Sequence, residues 1–221
     1  MKKLFDRLKI KVKNIDLYNT AFSHSSYVNE HKLKHDYERL EFLGDAVLDL
    51  VVADYLYNHI DKNEGTLTKI RVNYVCENAN YVYATELNLP DYIKVGNGEA
   101  DEDGNFKKAI VADTFEALIG AIYLDLGYST VRRVILDIIV PYINDPKITF
   151  FSDYKSKLQE IVQEEQKQLS YVLVKEEGPS HNKMFTFHVM INGIVYGEGV
   201  APSKKEAEQV AAKNALEKLA V

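Results

Sequence analysis

The stretch Glu38-Arg39-Leu40-Glu41-Phe42-Leu43-Gly44-Asp45-Ala46-Val47-Leu48 decides the fold of the first part of this 221-residue chain. It predicts a helix with Asp36 as N-cap, because that side chain can accept from free backbone N–H groups. Three acids share one helical face at spacings i, i+3 and i+7: Glu38, Glu41 and Asp45. The helix is otherwise apolar and should be buried. Acids held together near a core are costly unless something compensates, and a divalent cation is the usual compensator.

A simpler interpretation competes with a metal site, because acids on a helix usually form a solvated face. In that case Gly44 would interrupt an exposed helix, where glycine costs about 1 kcal/mol relative to alanine. Gly44 is explained if another helix or a metal-bound substrate approaches the backbone closely at this position. The spacing of the acids alone leaves both interpretations open.

A second predicted helix, Lys107–Leu126, repeats the pattern of acids in an apolar setting. Asp113 and Glu116 are spaced i, i+3 and therefore lie on one face. Gly120 again permits close packing of helices. The alternative is a single exposed stripe on an otherwise buried helix.

The remaining elements of this part are assigned from periodicity and local signals. One long helix is expected over roughly Leu67–Leu87, with Cys76 as a small apolar residue inside it. Ser129 is expected to cap a further helix that ends near Ile143. The acidic, glycine-rich segment Gly96–Asn105 is a loop, and it does not match a phosphate cradle because no helix-opening Lys-Ser/Thr pair follows it.

From residue 153 onward the pattern becomes helix, three strands and helix. The expected elements are a helix over Tyr154–Gln168, strands over Ser170–Glu176, Met184–Ile191 and Ile194–Val200, and a helix from Ser203 to about Leu219. Asn192-Gly193 is a strong signal for a two-residue hairpin. Ser203 and Glu206 form the pattern of a capping box that opens the last helix.

Composition bounds the class of protein. Hydrophobic residues make up 46% of the chain, so a sizeable core can form, and the single cysteine excludes an internal disulfide. The net charge of −6 is unusual for a nucleic-acid-binding protein, so any attraction for phosphate must be local. No apolar run reaches transmembrane length, and the N-terminus lacks the apolar segment of a signal peptide. We therefore expect a cytoplasmic protein with no membrane partner.

The stretch quoted first resembles the signature segment of ribonuclease III, the double-strand-specific endoribonuclease family, and an uninterrupted match is more specific than a spaced motif. The segment around Asp113 and Glu116 resembles the second signature of that family. The C-terminal pattern looks like the double-stranded-RNA-binding domain. The resemblance implies an all-α endonuclease domain with the ribonuclease III fold over residues 1–144, a linker over 145–152, and a small α+β domain of order α-β-β-β-α over 153–221.

The resemblance also implies an activity: hydrolysis of phosphodiesters in double-stranded RNA, including ribosomal RNA precursors and other structured RNAs. The products would carry 5′-phosphate and 3′-hydroxyl ends, with short 3′ overhangs if the enzyme is a homodimer. The implied ligands of Mg²⁺, or of Mn²⁺ as a substitute, are Glu41, Asp45, Asp113 and Glu116, and the implied catalytic residues are Asp45 and Glu116. Glu38 and Glu64 are candidates of second rank in the same catalytic valley.

Contacts to RNA are expected from three places in the C-terminal domain. Gln159 and Gln163 are spaced i, i+4 on the first helix and could meet 2′-hydroxyls. Pro179 and His181 belong to a loop that could enter a minor groove. Two lysines, Lys204 and Lys205, open the last helix, where lysine side chains and free N–H groups would converge on a phosphate. Two solvated lysines are the alternative at that position.

Two other functions compete with a nuclease. A non-catalytic double-stranded-RNA-binding protein could use the helical domain only to dimerise, although the presence of all four carboxylates argues against it. A metal phosphohydrolase with a different substrate is opposed by the character of residues 153–221. Incubation with an RNA duplex, with and without Mg²⁺, would distinguish these classes.

Overall fold

The computed structural model describes residues 1–97, 99, 106–145, 147–150, 154–179 and 183–219. The chain divides into two compact units, Met1–Phe151 and Ser152–Val221. Each unit has a hydrophobic core of its own. The expected plan, a helical domain followed by a small α-β-β-β-α domain, is confirmed.

The described part of the first unit is helical. Its helices are α1 (Lys2–Arg7), α2 (Ile15–Ala21), α3 (Ser25–Glu30), α4 (Glu38–His59), α5 (Glu64–Val75), α6 (Glu77–Glu86), α7 (Lys108–Leu126) and α8 (Tyr128–Ile143), with a short 3₁₀ turn at Leu89–Tyr92. The buried helix α7 contributes most of the apolar side chains between Ile110 and Ile122, a span of more than three turns, to the core. This places the acids of α7 next to an apolar interior.

Helices α4 and α7 cross at two glycines. A Cβ atom on Gly44 would lie 1.8 Å from the backbone oxygen of Glu116, and one on Gly120 would lie 2.2 Å from the backbone oxygen of Leu40. Only glycine therefore permits this separation of the two backbones. The expectation that another helix approaches Gly44 is correct, and the crossing brings the acids of both helices to one place.

Several helix boundaries differ from the predictions, and the start of α4 differs least. Its N-cap is Tyr37 instead of Asp36, although Asp36 Oδ1 still accepts a hydrogen bond of 3.1 Å from the backbone N–H of Glu38. The predicted capping interaction is thus present. The helix begins at Glu38, one residue later than it would if Asp36 were the N-cap. Local polar signals place a helix start to within a residue or two.

The prediction of one long helix over Leu67–Leu87 is wrong, because Cys76 adopts an extended backbone conformation between α5 and α6. Carbonyl groups left free at the end of α5 receive side-chain donors from α6. The amide of Asn80 donates to the carbonyl of Val75, and the hydroxyl of Tyr83 donates to that of Tyr74. These donors stabilise a helix end that hydrophobic periodicity does not reveal.

Ser129 is not the cap of α8. The helix starts at Tyr128, and Gly127, with φ of 80°, separates α7 from α8. Glycine adopts this left-handed region without strain, so the chain can stop one helix and start the next within a single residue. The predicted end of α8 at Ile143 is confirmed.

The segment Lys147–Phe150, which lies in the predicted linker, packs against the first unit. The ring of Phe150 lies 5.3–6.0 Å from the rings of Tyr74, Tyr83 and Tyr142. Its backbone N–H donates to Asn73 Oδ1 at 2.8 Å. A shortened first unit would need to retain this phenylalanine.

The second unit consists of α9 (Tyr154–Glu164), β1 (Leu169–Glu177), β2 (Met184–Ile191), β3 (Ile194–Ala201) and α10 (Lys204–Leu219). The strands form an antiparallel sheet of order β1-β2-β3. The hairpin at Asn192-Gly193 is confirmed, because both residues have positive φ, as a type I′ turn requires. Helix α9 ends earlier than the predicted Gln168, since Gln166 adopts a left-handed conformation with φ of 55°.

Helix α10 lies against the sheet through small residues. Cβ atoms added to Gly197 and Gly199 would lie 2.2 Å and 2.1 Å from backbone oxygens of α10. The serine half of the predicted capping box is confirmed, because Ser203 Oγ accepts from the backbone N–H of Glu206, and the Ser203 hydroxyl also donates to the Glu206 carboxylate. The helix start that carries Lys204 and Lys205 is therefore firmly fixed. In the described parts of both units, no helix combines the length and apolar character that crossing a membrane needs.

Candidate active site

An acidic cluster lies where α4 and α7 cross. One carboxylate oxygen each from Glu41, Asp113 and Glu116 lies within 4.8 Å of the others. The structure thus brings together three of the four predicted ligands. Glu41 is 72 or more positions before the other two in the chain, and Asp113 and Glu116 are one helical turn apart. Asp45 stands at the edge of this cluster: its side chain is exposed, and its charge acts on Glu41 and Glu116.

The carboxyl groups of the cluster are strongly perturbed. Burial and, after it, the nearby charges of Asp45, Asp113 and Glu41 together raise the pKa of Glu116 to about 8. Burial also raises the pKa of Glu41 to about 7, with Asp113 as the largest charge contribution. The pKa of Asp113 is raised too, chiefly by burial. The pKa of Asp45 is also raised, because its carboxyl group is partly desolvated although the residue as a whole is exposed.

These shifts have a common meaning, because desolvation and like charges both disfavour the ionised form. The groups that the chain places around the cluster therefore do not offset the negative charge of its ionised carboxylates. Carboxylate oxygens are the ligands that Mg²⁺ prefers in proteins, and a divalent cation is strongly favoured at such a place. The donor set and its spacing fit a hard divalent cation.

Two neutral donors that the sequence interpretation did not identify contact the cluster. The amide of Asn80, on α6, donates to Glu116 Oε1 at 2.6 Å. The hydroxyl of Tyr37 donates to Asp113 Oδ2 at 3.3 Å. Asn80 could have been suspected, because it lies on the same face of α6 as the buried residues Tyr83 and Ala84, where an amide needs a partner.

The two acids of second rank lie in different places. Glu38 is exposed at the start of α4, and its charge raises the pKa of Glu41, so it borders the cluster. Glu64 is exposed at the start of α5, accepts from Thr68 Oγ1 at 3.1 Å, and shares a pocket with Ala53 of α4. Ala53 is twelve residues beyond Glu41, which corresponds to about 18 Å along the helix. Within this unit, Glu64 is therefore distant from the cluster.

The predicted RNA contacts in the second unit are surface residues. Gln159 and Gln163 are exposed on α9, and Lys204 and Lys205 are exposed at the start of α10. Lys204 Nζ also lies 5.5 Å from the centre of the Phe185 ring. Pro179 is exposed after β1. His181 lies outside the described residues.

The acidic loop is described only in part, since Gly98 and Ala100–Asn105 lie outside the described residues. Glu99 accepts from Lys107 Nζ at 2.9 Å, which lowers the pKa of its carboxyl group. Glu30 Oε1 accepts from the backbone N–H of Asn97. These contacts stabilise the beginning of the loop and reveal no role in binding phosphate.

Comparisons with known proteins agree with this architecture. The family model described as ribonuclease-III-like matches residues 14–143, and the double-stranded RNA binding motif matches residues 154–219. The fold and the acidic cluster thus define a two-domain endoribonuclease that carries a unit for double-stranded RNA. The chain belongs to the ribonuclease III family.

Relatives support this over nearly the whole length. Ribonuclease 3 of Onion yellows phytoplasma is 47% identical over 218 residues, which cover 98% of this chain and 90% of that protein. Ribonuclease 3 of Clostridium tetani is 46% identical over 227 residues, with 100% and 95% covered. Among solved structures, a nuclease domain of ribonuclease III from Campylobacter jejuni is 38% identical with a TM-score of 0.58, and the match covers 63% of this chain and 96% of that domain.

Proposed function

We propose that this chain hydrolyses phosphodiesters of double-stranded RNA at the acidic cluster, with Glu41, Asp45, Asp113 and Glu116 as the ligands of Mg²⁺ or, as a substitute, of Mn²⁺. The observation that carries the proposal is the approach of three carboxylates to within 4.8 Å at the crossing of α4 and α7. An uncompensated cluster would repel an RNA phosphate. When a divalent cation neutralises the carboxylates, an RNA phosphate can approach them.

The chain's residues would have distinct tasks at this site. When bound, the metal would supply a hydroxide nucleophile at neutral pH and stabilise charge on the phosphate and leaving oxygens. Asp113 and Glu116 are held by α7 and by donors from outside that helix, so they offer fixed ligands. Exposed Asp45 and Glu38 border the cluster on the solvent side, where RNA would enter.

Binding of the duplex is assigned to the second unit. Lys204 and Lys205 open a capped helix of sixteen residues, so their ammonium groups and the free backbone N–H groups can face one phosphate. Gln159 and Gln163 would meet 2′-hydroxyls, and Pro179 and His181 would approach a second groove. Such domains recognise the shape of A-form RNA more than its sequence.

A homodimer is the proposed assembly. Phe42 is 81% exposed on α4, an unusual state for a large aromatic side chain. Phe42 lines a groove together with Leu17, Leu43 and Leu124, and charged residues such as Arg39 also border this groove. A second copy would cover this apolar surface, and two equivalent sites could then cut one strand each and leave short 3′ overhangs. A solved Campylobacter jejuni nuclease domain is described as having a region involved in dimer formation.

The proposed cellular role is processing of ribosomal RNA precursors and other structured RNAs in the cytoplasm. Membership of the family supports it. Comparison of precursor ribosomal RNA in cells with and without the gene would test it, and unchanged precursor levels would remove this role.

The decisive experiment for the biochemical function uses a long RNA duplex with either Mg²⁺ or excess chelator. Cleavage to products with 5′-phosphate ends is expected only with the metal, while a gel-shift assay should detect binding in both conditions. Efficient cleavage in chelator would contradict the proposed metal site. Binding without cleavage in every metal tested would favour the non-catalytic RNA-binding alternative.

A further inference from the structure

Asn80 is a fully buried amide beside the acidic cluster. Its exposed fraction is 0%, and its neighbours on the inner face of α6 are Ala79, Tyr83 and Ala84. A polar side chain in such surroundings is unfavourable unless its hydrogen-bonding groups find partners. Its contacts therefore need an explanation beyond packing.

The amide nitrogen of Asn80 has two acceptors. It donates to Glu116 Oε1 at 2.6 Å and to the backbone oxygen of Val75 at 3.3 Å. Because both partners are acceptors, they fix the orientation of the amide. Its oxygen, Oδ1, is buried and has no hydrogen-bond partner among the described residues. An apolar residue would fill this space without that unmet oxygen, so packing alone does not account for the asparagine.

The hydrogen bond from Asn80 restricts the last side-chain torsion of Glu116, which has only a weak intrinsic preference. The last torsion of a glutamate is broad, so its two oxygens can take many orientations. With Oε1 held by Asn80, the plane of the carboxylate is fixed relative to α6 as well as α7. The second bond, to Val75 at the break between α5 and α6, anchors the amide itself.

We propose that Asn80 is a positioning residue that holds the carboxylate of Glu116 in the orientation in which it binds a divalent cation. The inference rests on the proposed metal-binding role of the cluster. It assigns to α6, which supplies none of the three carboxylates that lie within 4.8 Å of one another, a part in the geometry of the site. Donors behind metal ligands commonly change metal affinity by roughly 10–100-fold when they are lost.

The test measures Mn²⁺ binding to the full chain without RNA, by titration with electron paramagnetic resonance of the free ion. Asn80→Leu has nearly the same size and lacks the donor, so it should bind Mn²⁺ at least about tenfold more weakly. Tyr83→Phe is the matched control, because it removes another buried hydrogen bond of α6, 3.2 Å long, that does not touch the cluster. Its Mn²⁺ affinity should equal that of the parent.

A second pair of variants shows whether Asn80 acts through Glu116. In a Glu116→Gln background, Asn80→Leu should cause no further loss of Mn²⁺ affinity, because the ligand that it orients is already impaired. If Asn80→Leu does not fold, as judged by circular dichroism, Asn80→Ser replaces it, since serine is too short to reach Glu116. The same weakening is expected.

The outcomes separate this inference from the proposed function. If the parent does not bind Mn²⁺, or Glu116→Gln binds it equally well, the metal site itself is wrong and Asn80 has no such role. If Glu116→Gln weakens binding while a folded Asn80 variant retains parental affinity, only the positioning role is overturned. Equal losses in Asn80→Leu and Tyr83→Phe would likewise overturn it, because they would indicate a general effect of α6.

Discussion

The acidic cluster of the first unit and the lysine pair of the second unit use charge in opposite ways. The acids lie partly buried at a helix crossing, and their pKa values are raised by burial and by one another. Lys204 and Lys205 are exposed on a helix start that Ser203 and Glu206 already cap. Buried charges depend on exact packing and oppose folding, whereas exposed charges act through screened attraction and leave the fold unaffected.

The largest expected effect is that of Glu116→Gln. The amide keeps the size of the side chain but loses the charge that holds a hard cation, so single-turnover cleavage should slow at least about a hundredfold. Binding of duplex RNA should be unchanged in a gel-shift assay. The melting temperature should equal or exceed that of the parent, because like-charge repulsion is removed. Raised Mg²⁺ or Mn²⁺ should restore part of the rate, and parental cleavage would exclude Glu116 from the site.

The dependence of the buried site on packing is tested by Gly44→Ala. The new methyl group would meet the backbone of α7, so the two helices must separate, at a cost of about 3 kcal/mol or more in the free energy of unfolding. Cleavage should fall as Glu41 moves away from Glu116. Gly65→Ala is the control: its nearest neighbour would be 3.9 Å away, and it should be neutral or slightly stabilising. Equal stability of both variants in urea denaturation would refute the close crossing.

The exposed lysines should give a smaller and salt-dependent effect. Lys204→Ala combined with Lys205→Ala should weaken duplex binding roughly tenfold at moderate salt and reduce the slope of log affinity against log salt by about 2. The melting temperature should not change. Lys213→Ala with Lys218→Ala removes the same charge from the other half of α10 and is the control. If both double variants behave alike, the start of α10 has no special role in binding.

The smallest expected effect is a pH dependence of stability in excess chelator. The folded-state pKa values of Glu41 and Glu116, about 7 and about 8, exceed the ordinary value of 4.5, so the folded protein binds more protons than the unfolded chain between these limits. The stabilisation that these two groups contribute is then fully present below pH 4.5 and is lost as pH rises through 8. The melting temperature should fall over this range, and it should fall less in Mg²⁺. A flat profile in chelator would contradict the perturbed cluster.

The boundary at residue 144 that the sequence predicts for the first domain is not a suitable place to end an isolated nuclease unit. A chain that ends at Asn144 would lose Phe150, whose ring packs on Tyr74, Tyr83 and Tyr142. An isolated nuclease unit should therefore retain residues up to 151. Composition marks a linker by its proline and its few helix formers, but composition does not show that an aromatic side chain near its end is anchored in a core.

Several parts of the fold were predictable because their causes are local. The i, i+3 spacing of Asp113 and Glu116, the capping box at Ser203 and the Asn192-Gly193 turn involve residues within one or two turns of each other. Their geometry follows from backbone preferences that neighbours in sequence determine. The start of α8 was not predicted correctly, because its N-cap is Gly127, with positive φ, and not Ser129.

The sequence by itself determined the family and the plan of a helical domain followed by an α-β-β-β-α domain, and it predicted the four candidate carboxylates, because the signals for all of these lie in contiguous segments and short spacings. Only the tertiary structure decided which carboxylates meet, and it left Asp45 at the edge of the group and Glu64 far from it within this unit. The donors Asn80 and Tyr37 reach their acids across 36 and 76 positions. Such contacts depend on how α4, α6 and α7 pack, and side-chain packing between distant segments leaves no period or spacing in the sequence.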